Sequence, residues 1–90
     1  MPPTDFPEPG PLDLSGVDLR RANLNAAHLE RADFRGAHLE RADFRKAHLA
    51  DADFTEAHLR WAHFQQAHLE EAKFSYAHLE RARFQAAHLR

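Results

Sequence analysis

Apolar residues along this chain come in pairs two apart, and the pairs recur every five residues. In "RADFRGAHLERADFRKAHLADADF", residues 31–54, each Ala is followed two places later by Leu or Phe, and two mostly polar residues separate the pairs. Five is the period of neither regular element. At about 100° per residue such positions spread around the whole helical cylinder and leave no stripe to bury. On an extended segment, residues two apart share one face, so Ala32 and Phe34 point inward together. The pattern predicts a very short strand followed by a corner, repeated.

Sixteen such units run without a gap from Leu12 to Arg90. Their large central residues are Leu14, Leu19, Leu24, Leu29, Phe34, Leu39, Phe44, Leu49, Phe54, Leu59, Phe64, Leu69, Phe74, Leu79, Phe84 and Leu89. Ala stands two places before each, except for Leu12 and Val17 in the first two units. One unit cannot bury its own pair, so successive turns must stack as a solenoid. From Leu29 onward Leu and Phe alternate as centres. Three units per turn would stack Phe on Leu. Four units stack like on like, which packs without alternating gaps, so a twenty-residue turn is predicted. Phe34, Phe54 and Phe74 then form one column, with Phe44, Phe64 and Phe84 opposite.

Composition argues the other way and loses. Ala, Leu, Glu, Arg and Gln favour helix, yet the five-residue pattern offers a helix no face to bury. Ninety residues allow one small domain. The absence of Cys excludes disulfides and Cys-based zinc sites. No apolar run approaches the ~18 residues of a membrane span, and no basic-then-apolar leader opens the chain. The default is a soluble, cytoplasmic protein without cofactor. A net charge of −2 gives no strong field toward nucleic acid, so direct nucleic-acid binding is not expected.

The units ADFRG, AHLER, ADFRK and ADFTE resemble the A(D/N)Lxx repeats of the pentapeptide-repeat family, over residues 12–90. The resemblance implies an all-β, right-handed quadrilateral parallel β-helix of about four coils, four repeats to each. It implies little about activity, because a fold does not fix function. Some members of that family mimic duplex DNA and inhibit or protect type II topoisomerases such as DNA gyrase, and many have no known role. One departure stands out: the position before the centre is often His, where the family prefers Asp, Asn, Ser or Thr.

The ends differ from the repeats. All five Pro lie within residues 1–11, read as an extended tail that covers the first coil with Phe6, Leu12 and Val17. Nothing similar closes the other end, so the coil carrying Phe74, Leu79, Phe84 and Leu89 is a candidate edge for a homodimer, or the chain is a fragment.

Three surface features carry candidate functions. Unrolled, the four walls sum to −2, +2, +2 and −2, giving a mildly acidic and a mildly basic side rather than the dense anionic face that DNA mimicry wants. The acidic column Asp13, Asp33, Asp53 breaks at Lys73. Corner residues Trp61, Arg41 and Arg81 share a column, so guanidinium stacking on indole is available; with Tyr76 on a neighbouring corner they are candidates for partner binding. The eight His all precede a centre. His28, His48, His68 and His88 fall in one column, His38, His58 and His78 in another, with His63 apart. Rungs about 4.8 Å apart set imidazoles side by side. They are weak metal candidates, two ligands per ion with no carboxylate in line, or simply stacked neutral rings. Repulsion between protonated neighbours would also make such a ladder responsive to pH. No nucleophile, base and carboxylate converge, and the three isolated Gly form no phosphate loop. The best reading is a non-catalytic protein-binding or assembly module. The alternatives are a topoisomerase-directed DNA mimic and a metal- or pH-responsive His ladder.

Overall fold

In the computed structural model, which describes residues 11–90, the chain winds so that residues twenty apart lie side by side in parallel. Twelve single-residue bridges mark this register, from Asp13 with Asp33 through Asn23 with Asp43 to His68 with His88. Four five-residue units therefore make one turn, as the Leu and Phe alternation predicts. The expected tail at residues 1–11 lies, but for Pro11, outside the described residues. Of the residues expected to close the first turn with it, Val17 packs against the core, whereas Leu12 is 55% exposed. No helix among the described residues is long and apolar enough to cross a membrane.

Each unit accounts for its backbone donors by position. The centre N–H bonds forward to the next turn, as Phe34 does to the Asp53 carbonyl at 2.8 Å. The N–H before the centre bonds backward, as Asp53 does to Ala32 at 3.0 Å. At the corner, the Ala N–H returns to the preceding centre, as Ala37 does to Phe34 at 3.0 Å. The residue before that Ala takes the left-handed conformation, with φ from 57° at Tyr76 to 68° at Gly16. This is the type II turn, which needs positive φ at its third residue. Only Gly16 and Gly36 meet it with glycine. Arg, Ala, Trp, Glu, Gln, Asp, Lys and Tyr occupy the other corners at a steric cost of about 1 kcal/mol each. In return each of these N–H groups in the first three turns reaches the next turn, as Lys46 does to Gln65 at 3.0 Å.

One donor per unit remains, on the residue just after the centre, and the side chain before the centre decides its fate. Where that side chain is Asp or Asn, its oxygen accepts this N–H: Asp33 from Arg35 at 3.0 Å, Asp43 from Arg45 at 3.0 Å, Asn23 from Asn25 at 3.1 Å. Where it is His, no such bond forms among the described residues. The preference of the repeat for a short oxygen-bearing residue thus has a local cause, and the His units forgo it.

The interior is a stack of flat layers. From Ala32 to Leu69 every centre, and every Ala two places before a centre, is at most 1% exposed. Phe34 and Phe54 stack with centroids 4.9 Å apart and planes 1° from parallel, and Phe44 and Phe64 do the same at 4.9 Å and 2°. The two Phe columns also meet each other edge to face, Phe54 against Phe44 at 5.7 Å and against Phe64 at 5.6 Å. Columns set at right angles let each ring edge address its neighbour's face, the favoured aromatic geometry.

Candidate interaction surface

With the interior filled, chemistry is confined to the outward positions, which the twenty-residue register sorts into columns. The column of Asp13, Asp33, Asp53 and Lys73 is aligned as the sequence predicts. It is not a bare anionic strip, because Arg35 folds back on Asp33 through two guanidinium bonds of 2.9 and 2.8 Å. The same Asp-x-Arg clamp joins Arg20 to Asp18 and Arg45 to Asp43. Sequence reading missed these clamps, although the spacing of two was there to see.

The clamps perturb the carboxylates they hold. Guanidinium bonds from Arg20, helped by the Arg20 N–H, bring Asp18 down to about 2. The corresponding bonds from Arg35 and Arg45 lower Asp33 and Asp43, and the Ser15 hydroxyl and N–H lower Asp13. Below the ordinary carboxylate value of 3.8 the unfolded chain binds more protons than the folded one, so stability rises with pH there. These bonds contribute above that value and are lost as pH falls from about 4 toward 2. The melting temperature should drop between about pH 6 and pH 3, and drop less in Asp18→Asn/Asp43→Asn; equal slopes in the two proteins would refute the assignment.

Both His columns form stacks. His28 and His48 lie 4.3 Å apart with planes 8° from parallel, His48 and His68 5.0 Å apart, and His68 and His88 4.7 Å apart. His38, His58 and His78 repeat this at 4.6 and 5.1 Å. His63 sits between Asp43 and Arg83, as expected from its column. One expectation needs correction. Carboxylates do stand beside the first column: ligand atoms of His28, Glu30 and His48 all lie within 4.8 Å of one another. His68 Nδ1 is also 3.8 Å from a Glu70 oxygen. The sequence places Glu30, Glu70 and Asp51 near this column but not in line with its rings; the type II turn folds the corner bearing Glu30 back beside the rung.

The corner bearing Trp61 is the other organised feature. The indole is sandwiched between Arg41, whose Cζ is 5.2 Å from the ring centroid, and Arg81, at 4.9 Å. Trp61 nonetheless remains 40% exposed. Tyr76 is not part of this cluster. It stands on the neighbouring corner column, 85% exposed, and lines a shallow groove with Glu56, His58, Ala77 and His78. In the turn proposed as an edge, Phe74, Leu79 and Phe84 are half-buried and Leu89 is 57% exposed.

The register, the layered Phe core and the five-residue unit have a counterpart among known families. Residues 12–84 match the family described as a pentapeptide repeat region. The chain belongs to the pentapeptide-repeat family. A search of curated proteins finds no match. Among solved structures, this pentapeptide-repeat chain resembles a pentapeptide repeat protein of the Arabidopsis thaliana thylakoid lumen, with 30% identity and a TM-score of 0.54. The likeness covers 84% of this chain and 57% of that one, so the chain spans little more than half of that protein's length. It also resembles a pentapeptide repeat protein from Nostoc Pcc 7120, with 22% identity, a TM-score of 0.56, and coverage of 89% of this chain and 86% of that one. At that identity the likeness is one of fold.

Proposed function

We propose that this pentapeptide-repeat solenoid, right-handed and of about four coils, is a non-catalytic protein-binding module whose recognition face is the corner bearing Trp61 between Arg41 and Arg81. Family membership supports the handedness, and the twenty-residue register from Asp13 to His88 supports the coil number. The interior supports a non-catalytic role, since its buried side chains among the described residues are all Ala, Leu and Phe, with no polar or charged group among them.

The observation that carries the reading is the Arg–Trp–Arg sandwich. Two cations fix the orientation of the indole without covering it, at 5.2 and 4.9 Å on its two sides. Trp and Arg are the side chains most enriched where binding energy concentrates, and a prearranged aromatic loses little entropy on docking. The test is retention of proteins from the native cell on the immobilised chain, compared with Trp61→Ala. Because Trp61 is on an exposed corner, its loss should leave the circular dichroism unchanged and weaken the retained partner at least about tenfold. A partner held equally well by Trp61→Ala would place the recognition face elsewhere.

A further inference from the structure

We propose that His28, Glu30 and His48 form a site for a divalent transition-metal ion of the zinc class, on the outer face of the first two turns. Among the described residues this is the one group in which three such ligating side chains come together, with their ligand atoms all within 4.8 Å of one another. Two imidazoles and one carboxylate form a donor set that suits zinc, which accepts three protein ligands and leaves a fourth position to water.

Three features single out this end of the ladder. The first is that Glu30 is uncommitted: it enters no ion pair or hydrogen bond among the described residues, whereas Glu80, the corresponding residue after His78, is held by Arg60 at 3.1 Å. The second is the place of His28 in its column. Among the described residues it stacks on one imidazole, that of His48, and so turns away more readily than a ring held on both sides. The third is exposure, since His28 and Glu30 are both exposed and free to rotate.

Rotation matters because stacked rings whose planes are 8° from parallel aim their lone pairs side by side rather than at a common point. Tetrahedral zinc with bonds of about 2.0–2.1 Å needs its ligand atoms closer than the present spread. The exposed His28 ring therefore turns out of the stack to bind, and Glu30 closes from the corner. His48, half-buried and stacked on His68 at 5.0 Å, supplies the fixed ligand. The backbone at this site is paired on both rungs, with His48 N–H bonded to Ala27 at 2.8 Å and Leu29 N–H to His48 at 2.8 Å. The ion thus ties together two turns that are twenty residues apart in the chain.

The experiment is calorimetric titration of the 90-residue chain with zinc chloride, with magnesium chloride as control, together with ring NMR spectra. Zinc should bind one ion per chain with displacement of the His28 and His48 ring signals, and magnesium should not bind. Glu30→Gln, which leaves both rings in place, should weaken zinc at least about tenfold, and His28→Asn should do likewise. Both substitutions are at exposed positions, and unchanged circular dichroism verifies that they fold. No heat with zinc, or equal zinc affinity in Glu30→Gln and His28→Asn, overturns the assignment. Binding that survives both but is lost in His38→Asn/His58→Asn would move the ion to the other column and equally overturn it.

Discussion

Phe54→Ala should lower the folding free energy by about 3–5 kcal/mol, the largest loss from any single apolar truncation in the chain. Phe54 is 0% exposed and touches four other rings. It stacks on Phe34 at 4.9 Å and Phe74 at 5.0 Å, and meets Phe44 and Phe64 edge to face at 5.7 and 5.6 Å. The loss therefore combines the transfer of a ring out of the core with four aromatic contacts, each worth up to about 1 kcal/mol. The hole cannot close, because the backbones above and below it are held apart by ladder hydrogen bonds on every wall. Phe54→Leu keeps most of the volume and should cost well under half as much. Urea unfolding at constant slope measures both values. A cost below about 1 kcal/mol for Phe54→Ala would mean that the ring is not in the column.

The opposite change should also be severe. Ala52→Leu adds volume at a position that is 0% exposed. Ala32, Ala52 and Ala72 follow one another along the axis at the ladder spacing of about 4.8 Å, which a branched side chain exceeds. Ala52 is bound on both sides, its carbonyl accepting from Lys73 at 2.9 Å and that of Ala32 accepting from Asp53 at 3.0 Å. The turns cannot spread there without breaking those bonds, so a loss of about 2–3 kcal/mol is expected. The same substitution at the exposed corner residue Ala86 should stay within about 0.5 kcal/mol. Urea unfolding of the two variants checks the contrast, and similar costs at both positions would show that Ala52 does not face a packed interior.

What the sequence disclosed and what it hid follow from the same geometry. The inward positions were legible because burial permits few residue types there, so Ala, Leu and Phe repeat with little noise. The alternation of Leu29, Phe34, Leu39 and Phe44 also argued against three units per turn, since a turn of four sets Phe54 on Phe34. Corners were less legible. Their left-handed conformation usually announces itself through Gly or Asn, yet here Arg41, Lys46, Trp61 and Glu71 adopt it, with φ between 59° and 64°, because ladder and turn bonds hold them. Columns of like residues, such as the His stacks and the Arg41–Trp61–Arg81 sandwich, followed from the register alone. Contacts that run along the chain and across a corner did not. The clamp of Arg45 on Asp43 depends on how the turn redirects the residue after the centre. The meaning of Asp before the centre was likewise hidden until its oxygen was seen to accept the one N–H that the ladder leaves over.

Everything above rests on the twenty-residue register, and backbone NMR of the 90-residue chain tests it most directly. Amide and α-proton cross-peaks should link residues in adjacent turns along each wall, joining His38 to His58 and His58 to His78, the pairs that bridge in parallel. Cross-peaks between residues fifteen apart would mean three units per turn, and a run of contacts between residues three and four apart would mean helix. Either pattern would contradict the solenoid described here, and with it the Phe columns, the Trp61 corner and the His28–Glu30–His48 site.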